Sequence, residues 1–486
     1  AMSKVIELVL ALVMIGTVLA FGGVQPVTYS LMVVVLFLCL LLLVAKQTLG
    51  GKVSLRLPPW PLIFAVLVLL QLVPLPSRFI MSLSPARLLE LDVAGLGGAG
   101  KAWTTVSVYP HDTVLTLLKF LAYLCAFLLA AYVFDSRKRG STLIRVLIFL
   151  GCFEAVYGIV QYLAGWHKIF TYTKQFNLEE ATGTYINRNH YAGLLGLVIP
   201  FALAAAFYSF QRWAERWQAG SARARSAERT AAAFQSVFYL FLLVIMFVGV
   251  VFSRSRAGIL AAVFSTVFIA LLAQLTAKRK VWMVGVFLFL LCVAGYGLWI
   301  GLDPVLARFE QMREPGYLQL EGRVAIWKDT VRLVRDYPLV GTGLGTFGIA
   351  FRRYQTGLLD SFVDHAHNDY LEFASDTGLL GATLLFAPIL YLLGKMIVSL
   401  LEDTRRFRRA VILGCIGSTL SILLHSAADF NLQIPANALV FAVVLGVGYK
   451  AASVEPRAEA PATERPPSTE HAGHATSSGE PGGSFC

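Results

Sequence analysis

Apolar runs of about 20 residues recur along the chain, the first opening at Val5 and the last closing at Tyr449, and each is long enough to cross a hydrocarbon core of roughly 30 Å as a helix. They predict spans at 5–21, 27–44, 60–73, 113–134, 143–164, 191–210, 234–252, 257–273, 281–301, 378–400, 410–428 and 437–449, about twelve in all. The first run has the look of a signal peptide, but further spans follow at once and no clear small-x-small cleavage site precedes Phe21, so it is expected to remain a helix. The expected architecture is an all-α polytopic membrane protein whose transmembrane helical bundle occupies 1–449.

The polar segments between the runs alternate in charge. Lys46, Lys52 and Arg56, then Arg137, Lys138 and Arg139, then the cations of 212–229, then Lys278, Arg279 and Lys280, then Arg405, Arg406, Arg408 and Arg409 fall in every second loop, which assigns those loops to the cytoplasm. Both termini then face inward, and 450–486, rich in Pro, Glu, Ser and Gly, is expected to be a disordered cytoplasmic tail. The outward loops become 74–112, 165–190, 253–256, 302–377 and 429–436. A connection as long as 302–377 is either functional or unstructured; its aromatics, glycines and helical periodicity predict a folded, partly helical periplasmic loop subdomain.

Composition agrees with this reading. Of 486 residues, 57% are hydrophobic and only 14% charged, roughly half the charge of an average soluble domain, so a water-soluble fold is excluded. The formal net charge of +12 is accounted for by membrane orientation, and nucleic acid is not an expected partner. The six cysteines, Cys39, Cys125, Cys152, Cys292, Cys415 and Cys486, are far apart and mostly inside apolar runs, which predicts neither a disulfide framework nor a metal site.

Candidate chemistry gathers at the outward mouths. Ser253-Arg254-Ser255-Arg256-Ala257-Gly258 joins two apolar helices, where an arginine deep in lipid costs about 2.5 to 3.5 kcal/mol. Either the side chains snorkel to lipid phosphates, or they grip an anionic ligand as planar, always-charged forks. In the long loop, Arg323 opens a segment that places Val324, Trp327, Val331 and Val334 on one stripe of an amphipathic helix expected to lie on the bundle. In Asp364-His365-Ala366-His367-Asn368-Asp369-Tyr370 and beyond, positions 367, 371, 374, 378 and 381 share one helical face. His367 is thus expected to project from a closely packed helix mouth, where the positive end of the dipole favours neutral imidazole. His365 and His367, two apart, diverge on a helix and make poor metal ligands together.

Asn187-Arg188-Asn189-His190 and the pair His425 and Asp429 are smaller outward clusters; the latter, one turn apart, also fits a helix-stabilising pair. No charged series crosses the bilayer as an ion relay requires, and no DxD pair, P-loop or GxSxG elbow is present. The pattern describes a metal-free outward pocket, without cofactor, for an anionic substrate.

Over roughly 151–446 the chain resembles the O-antigen ligase and O-antigen polymerase superfamily, bacterial lipid-linked-glycan transferases of the GT-C type. The resemblance rests on His367 and Asn368 followed by Gly378 and Gly381 at the ligase spacing, on Arg254 and Arg256 in the Ser-Arg-Ser-Arg-Ala-Gly stretch, on Arg323 and Trp327, and on 187–193. It implies a GT-C-like fold in the bacterial inner membrane with its site facing the periplasm. It also implies a donor glycan carried on undecaprenyl diphosphate, membrane lipids as surroundings, and either lipid A core or a second lipid-linked glycan as acceptor, with ligase-type transfer favoured. His367 would be the general base, with Arg323 and Arg256 the other catalytic residues. Arg254, Arg188, His190, Asn187, His365 and Asn368 would bind substrate. A single displacement would invert the anomeric centre. A lipid-linked sugar transporter and a structural scaffold are the competing readings. The first needs polar residues through the spans, and the second leaves the outward cations uncompensated.

Overall fold

The computed structural model describes residues 2–50, 58–93, 103–134, 137–218, 223–275, 322–356 and 362–453. The expected span at 281–301, the cations Lys52, Arg56, Lys278, Arg279 and Lys280, the first part of the long loop (302–321) and the tail 454–486 lie outside the described residues. The described residues form fifteen α-helices and two minimal antiparallel ladders, β1 (Leu75–Pro76) with β2 (Trp103–Thr104) and β3 (Lys168–Ile169) with β4 (Tyr172–Thr173). Ten of these described helices are long and apolar enough to cross a membrane. They are α1 (Met2–Leu19), α2 (Pro26–Leu49), α6 (Pro110–Val133), α7 (Arg137–Leu163), α8 (Arg188–Gln218), α9 (Arg223–Phe252), α10 (Arg256–Leu275), α13 (Asp369–Glu402), α14 (Arg406–Ser426) and α15 (Pro435–Ser453). The run expected at 60–73 is a shorter apolar helix, α3 (Pro59–Leu72). The remainder are α4 (Ser77–Leu83), α5 (Pro85–Val93), α11 (Arg323–Asp336) and α12 (Phe347–Ala350). The chain is an all-α polytopic membrane protein. α15 runs to Ser453, past the boundary expected at Tyr449.

Lipid is as apolar as a leucine side chain, so helices in a bilayer associate by fit more than by dehydration. The centre of the bundle follows that rule. In α8, α14 and α15, 83%, 78% and 72% of the apolar window is buried, against 22% in α2 and α13, and the central helices meet at glycines. A Cβ on Gly414 would stand 2.4 Å from Phe201, and one on Gly417 2.6 Å from Pro200.

α13 breaks at Gly378, whose backbone (φ +67°, ψ 176°) is not helical. The turn 338–346 fills the break. Leu379 donates its N–H to the Pro338 carbonyl (2.8 Å), Thr342 to Ser375 (2.9 Å) and Gly343 to Asp376 (2.9 Å), while Gly345 donates to the Asp376 carboxylate at 2.6 Å. Gln71 of α3 ties both sides together through the carbonyls of Val340 (2.6 Å) and Asp376 (2.9 Å). Only glycine fits, because a Cβ at Gly378 would lie 2.2 Å from the Leu339 carbonyl group. The glycine spacing of the sequence pattern is therefore a seat for this turn, which locks α11 and α12 onto the mouth of α13.

α11 presents a different face from the one expected. Ile326, Asp329, Thr330 and Leu333 are buried and Val331 is exposed, because Ile326 and Leu333 pack with Tyr337, Phe347, Phe351 and Ala366. The polar members of that face have partners, since Asp329 accepts from the Thr356 N–H and hydroxyl at 2.9 and 3.0 Å. Trp327 is only partly buried and donates its indole N–H to the Ala366 carbonyl at 3.0 Å.

Candidate functional site

At one end of the bundle the N-termini of α8, α13 and α15 and the C-terminus of α14 converge. Asn368 caps α13, its side-chain oxygen accepting the Leu371 N–H at 3.1 Å while its amide donates to the Ala427 carbonyl at 2.9 Å. The Asp369 carboxylate accepts from the Ser426 hydroxyl (2.6 Å) and the Leu432 N–H (3.1 Å), and the Asp369 N–H donates to the Asp429 carbonyl (3.2 Å). Asn437 of α15 donates to the His190 carbonyl at 2.9 Å and to Asn431 at 3.0 Å. These bonds hold the connection 427–434 against three helix mouths.

Asp429 is the centre of this arrangement. Its side chain is 1% exposed, and it faces His367 Nδ1 at 3.4 Å, His190 Nε2 at 3.9 Å and an Arg323 nitrogen at 4.0 Å, while its Oδ1 accepts the Phe430 N–H at 2.9 Å. Burial alone would raise this carboxyl. The hydrogen bond from His367 and the fields of His190 and Arg323 overcome that and hold it well below the usual carboxylate range. The Phe430 ring gathers the imidazoles. His365 stacks on it (4.1 Å between centroids, 17°), and His190 and His367 meet it edge-on at 4.6 and 4.9 Å.

The three histidines differ in setting. His365 Nδ1 lies 2.7 Å from Glu372, whose other oxygen accepts the Ala366 N–H at 2.8 Å. Burial would lower its pKa, but the Glu372 carboxylate outweighs that and raises it to about 9, so His365 is a cation at neutral pH. His190 is buried, and its Nε2 has no hydrogen-bond partner. His367 is 28% exposed, so it reaches the surface while its Nδ1 faces Asp429. Its backbone sits in the left-handed region at φ +49°, a conformation that persists only where surrounding contacts impose it.

This corrects two expectations. His367 does not stand on the helix face with 371, 374, 378 and 381, because α13 begins at Asp369 behind the Asn368 cap. Asp429 does not pair with His425 along a helix, because α14 ends at Ser426. Released from helical geometry, each turns toward the other.

Arg323 opens α11 and donates to the Ala428 carbonyl at 3.0 Å; it joins this centre, as do His365, His367 and His190. Arg256 is the first residue of α10, where a Cβ on nearby Gly258 would lie 3.3 Å from His425. Arg254 turns the other way, toward Glu179 (3.5 Å) and over the Tyr162 ring (5.7 Å), and Arg188 pairs with Glu180. Asn187 accepts the Asn189 N–H at 2.8 Å, so Asn187 and Asn368 both act as helix-mouth caps. Local spacing points Asp429 to His425 and does not single out Phe430; nothing in the neighbouring sequence marks Asp429 as the partner of His367.

Hydrogen-bonding capacity is left over here. Of 13 buried side-chain polar atoms without a partner among the described residues, six belong to His190, Asp369, His425, Asp429, Asn431 and Gln433, and each such atom costs about 1–3 kcal/mol while unmet. Among the described residues, no group of three or more His, Cys, Asp and Glu is arranged to hold a metal ion. What the arrangement can do is accept a proton at a partly exposed imidazole backed by a buried carboxylate, beside a fixed guanidinium. Residues 241–386 match the family model described as O-antigen ligase, which supports the O-antigen ligase and polymerase superfamily. The match takes in Arg254, Arg256, Arg323, His365 and His367 and stops short of Asp429. No curated protein matches the chain.

Proposed function

We propose that the protein is an inner-membrane glycosyltransferase that moves a glycan from undecaprenyl diphosphate to an acceptor sugar hydroxyl on the periplasmic side, without a metal and with inversion. The observation that carries this reading is the half-exposed His367 with its Nδ1 toward buried Asp429, next to Arg323. His367 Nε2 takes the proton of the acceptor hydroxyl as that oxygen attacks the anomeric carbon. The bond from that carbon to the diphosphate oxygen breaks, and the diphosphate leaves with the electron pair. Arg323 and Arg256 stabilise the charge that develops, a role otherwise filled by a divalent cation. Asp429 holds the imidazole with its proton on Nδ1 and offsets the imidazolium that forms. Arg254, Arg188, His190, Asn187, His365 and Asn368 act around this centre, Asn187 and Asn368 by shaping the helix mouths and His365 as a fixed cation.

A lipid-borne donor also suits the adjoining bundle. A cavity of about 230 Å³ opens between α3, α6, α13 and α15, lined by Phe64, Phe120, Phe441 and Leu445, and it reaches Phe373 and Leu432, the chain neighbours of Glu372 and Asn431. Its apolar walls suit an isoprenoid chain. Transfer to lipid A core is the favoured outcome, with joining of lipid-linked repeats as the alternative. Proteoliposomes given a lipid-linked glycan and either lipid A core or a second lipid-linked repeat test both readings. Product with the first acceptor, unaffected by EDTA, is expected; no product with either acceptor, or loss with EDTA, contradicts the proposal.

A further inference from the structure

The opposite end of the bundle holds a second cavity, of about 240 Å³, between α7, α8, α9 and α14. Its rim carries Arg137, Arg145 and Arg212, with the Tyr208 hydroxyl between them. Arg137 donates to that hydroxyl and lies over the Phe407 ring at 5.4 Å, and Arg212 lies 5.8 Å from the Tyr208 ring. Arg145 sits two turns into α7 and bends back toward the mouth, donating to the Ser141 carbonyl (3.2 Å) and the Thr142 hydroxyl (3.3 Å). Among the described residues, every partner of these three guanidinium groups is neutral. Among the described residues no carboxylate lies within ion-pair distance of them, and Glu215, one turn beyond Arg212, is joined to Arg406. The same end shows what an acid would do, because Arg405 and Arg408 are both paired with Asp403. Below the rim the lining turns apolar, through Ile148, Phe201 and Val411.

We infer that this cavity binds the phosphodiester headgroup of an anionic phospholipid, with its first acyl methylenes resting on the apolar floor. Three unneutralised planar forks around one space match phosphate oxygens, and basic pockets between helices at a membrane surface take such headgroups. Free phosphate shares the chemistry of the rim but has no use for the floor. The site lies across the bundle from Asp429 and does not depend on the transfer reaction.

The test uses the full-length protein in detergent. Thermal unfolding is followed with added phosphatidylglycerol, with phosphatidylcholine and with inorganic phosphate at matched ionic strength. Phosphatidylglycerol is expected to raise the midpoint by several degrees through preferential binding to the folded state, and the other two are expected to leave it unchanged. The triple variant Arg137→Gln, Arg145→Gln, Arg212→Gln should lose the shift. Because that variant could misfold, native mass spectrometry of the single variants R137Q and R212Q supplies an independent count of bound phosphatidylglycerol, expected to fall several-fold. No shift in the wild type, an equal shift with phosphatidylcholine or inorganic phosphate, or undiminished lipid in both single variants would each overturn the inference.

Discussion

Asp403 and Asp429 are both buried carboxylates flanking α14, at opposite ends of the bundle. Asp403 is enclosed: Arg405 reaches it through its backbone N–H at 2.8 Å and its guanidinium at 3.0 and 3.1 Å, and Arg408 bonds it as well. Asp429 has cations and imidazoles around it, but at 3.4 to 4.0 Å, and one of its oxygens has no hydrogen-bond partner. The two carry the same charge in equally dry surroundings, so burial is not what separates them. A saturated carboxylate has nothing left to give and serves the fold, whereas a loosely held one, reached from outside through a half-exposed imidazole, can change its bonding as a reaction proceeds.

The sharpest way to break this contrast is His367→Ala, expected to lower glycan transfer in proteoliposomes about 10³-fold while the amount of inserted protein stays the same; full turnover would remove the base. Asp403→Asn should act on the other quantity. Losing one partner of a buried ion pair costs about 3 kcal/mol or more, so its unfolding midpoint should fall sharply while transfer per folded molecule is kept. A drop in that specific rate would make Asp403 more than structural.

The pH dependence separates His365 from Asp429 by sign. His365 is raised to about 9, so the stability it gains from Glu372 is complete below its unfolded value near 6.5 and is lost as the pH rises through about 9. Asp429 is depressed, so its contribution is complete above an unfolded value near 3.9 and fades as the pH falls. Thermal midpoints measured from pH 6 to pH 10 should therefore decline, and Glu372→Gln should flatten the decline; an identical slope in both proteins would contradict the pairing. The smallest effect is expected from Trp327→Phe, which removes the bond to the Ala366 carbonyl next to His367 and should cost about 1 kcal/mol of stability, read as a modest fall in the same midpoint.

The helices of this protein are legible along the chain because a 20-residue apolar segment in lipid must satisfy its own backbone. Arg323, His365 and His367 also stand out locally, as charged or titratable groups at the ends of apolar runs. Asp429 does not. Its spacing from His425 imitates a helical pair, and its actual partner His367 lies 62 residues away, joined to it only because α14 stops at Ser426 and the Asn368 amide holds the Ala427 carbonyl. Phe430 reads as one more core aromatic until three imidazoles are seen against it. The stripe expected on α11 misleads for a related reason: Asp329 is buried by its bonds to Thr356, and no count of apolar positions anticipates a carboxylate facing inward.

Asp429→Asn and Asp403→Asn, compared in one proteoliposome preparation and each scored for folded protein and for transfer per folded molecule, separate the loosely held carboxylate from the saturated one. The amide keeps the shape of Asp429 but cannot fix the His367 proton or offset the imidazolium, so a fall of about 10² or more in specific transfer is expected at unchanged folded yield. Normal specific transfer by Asp429→Asn would contradict the account.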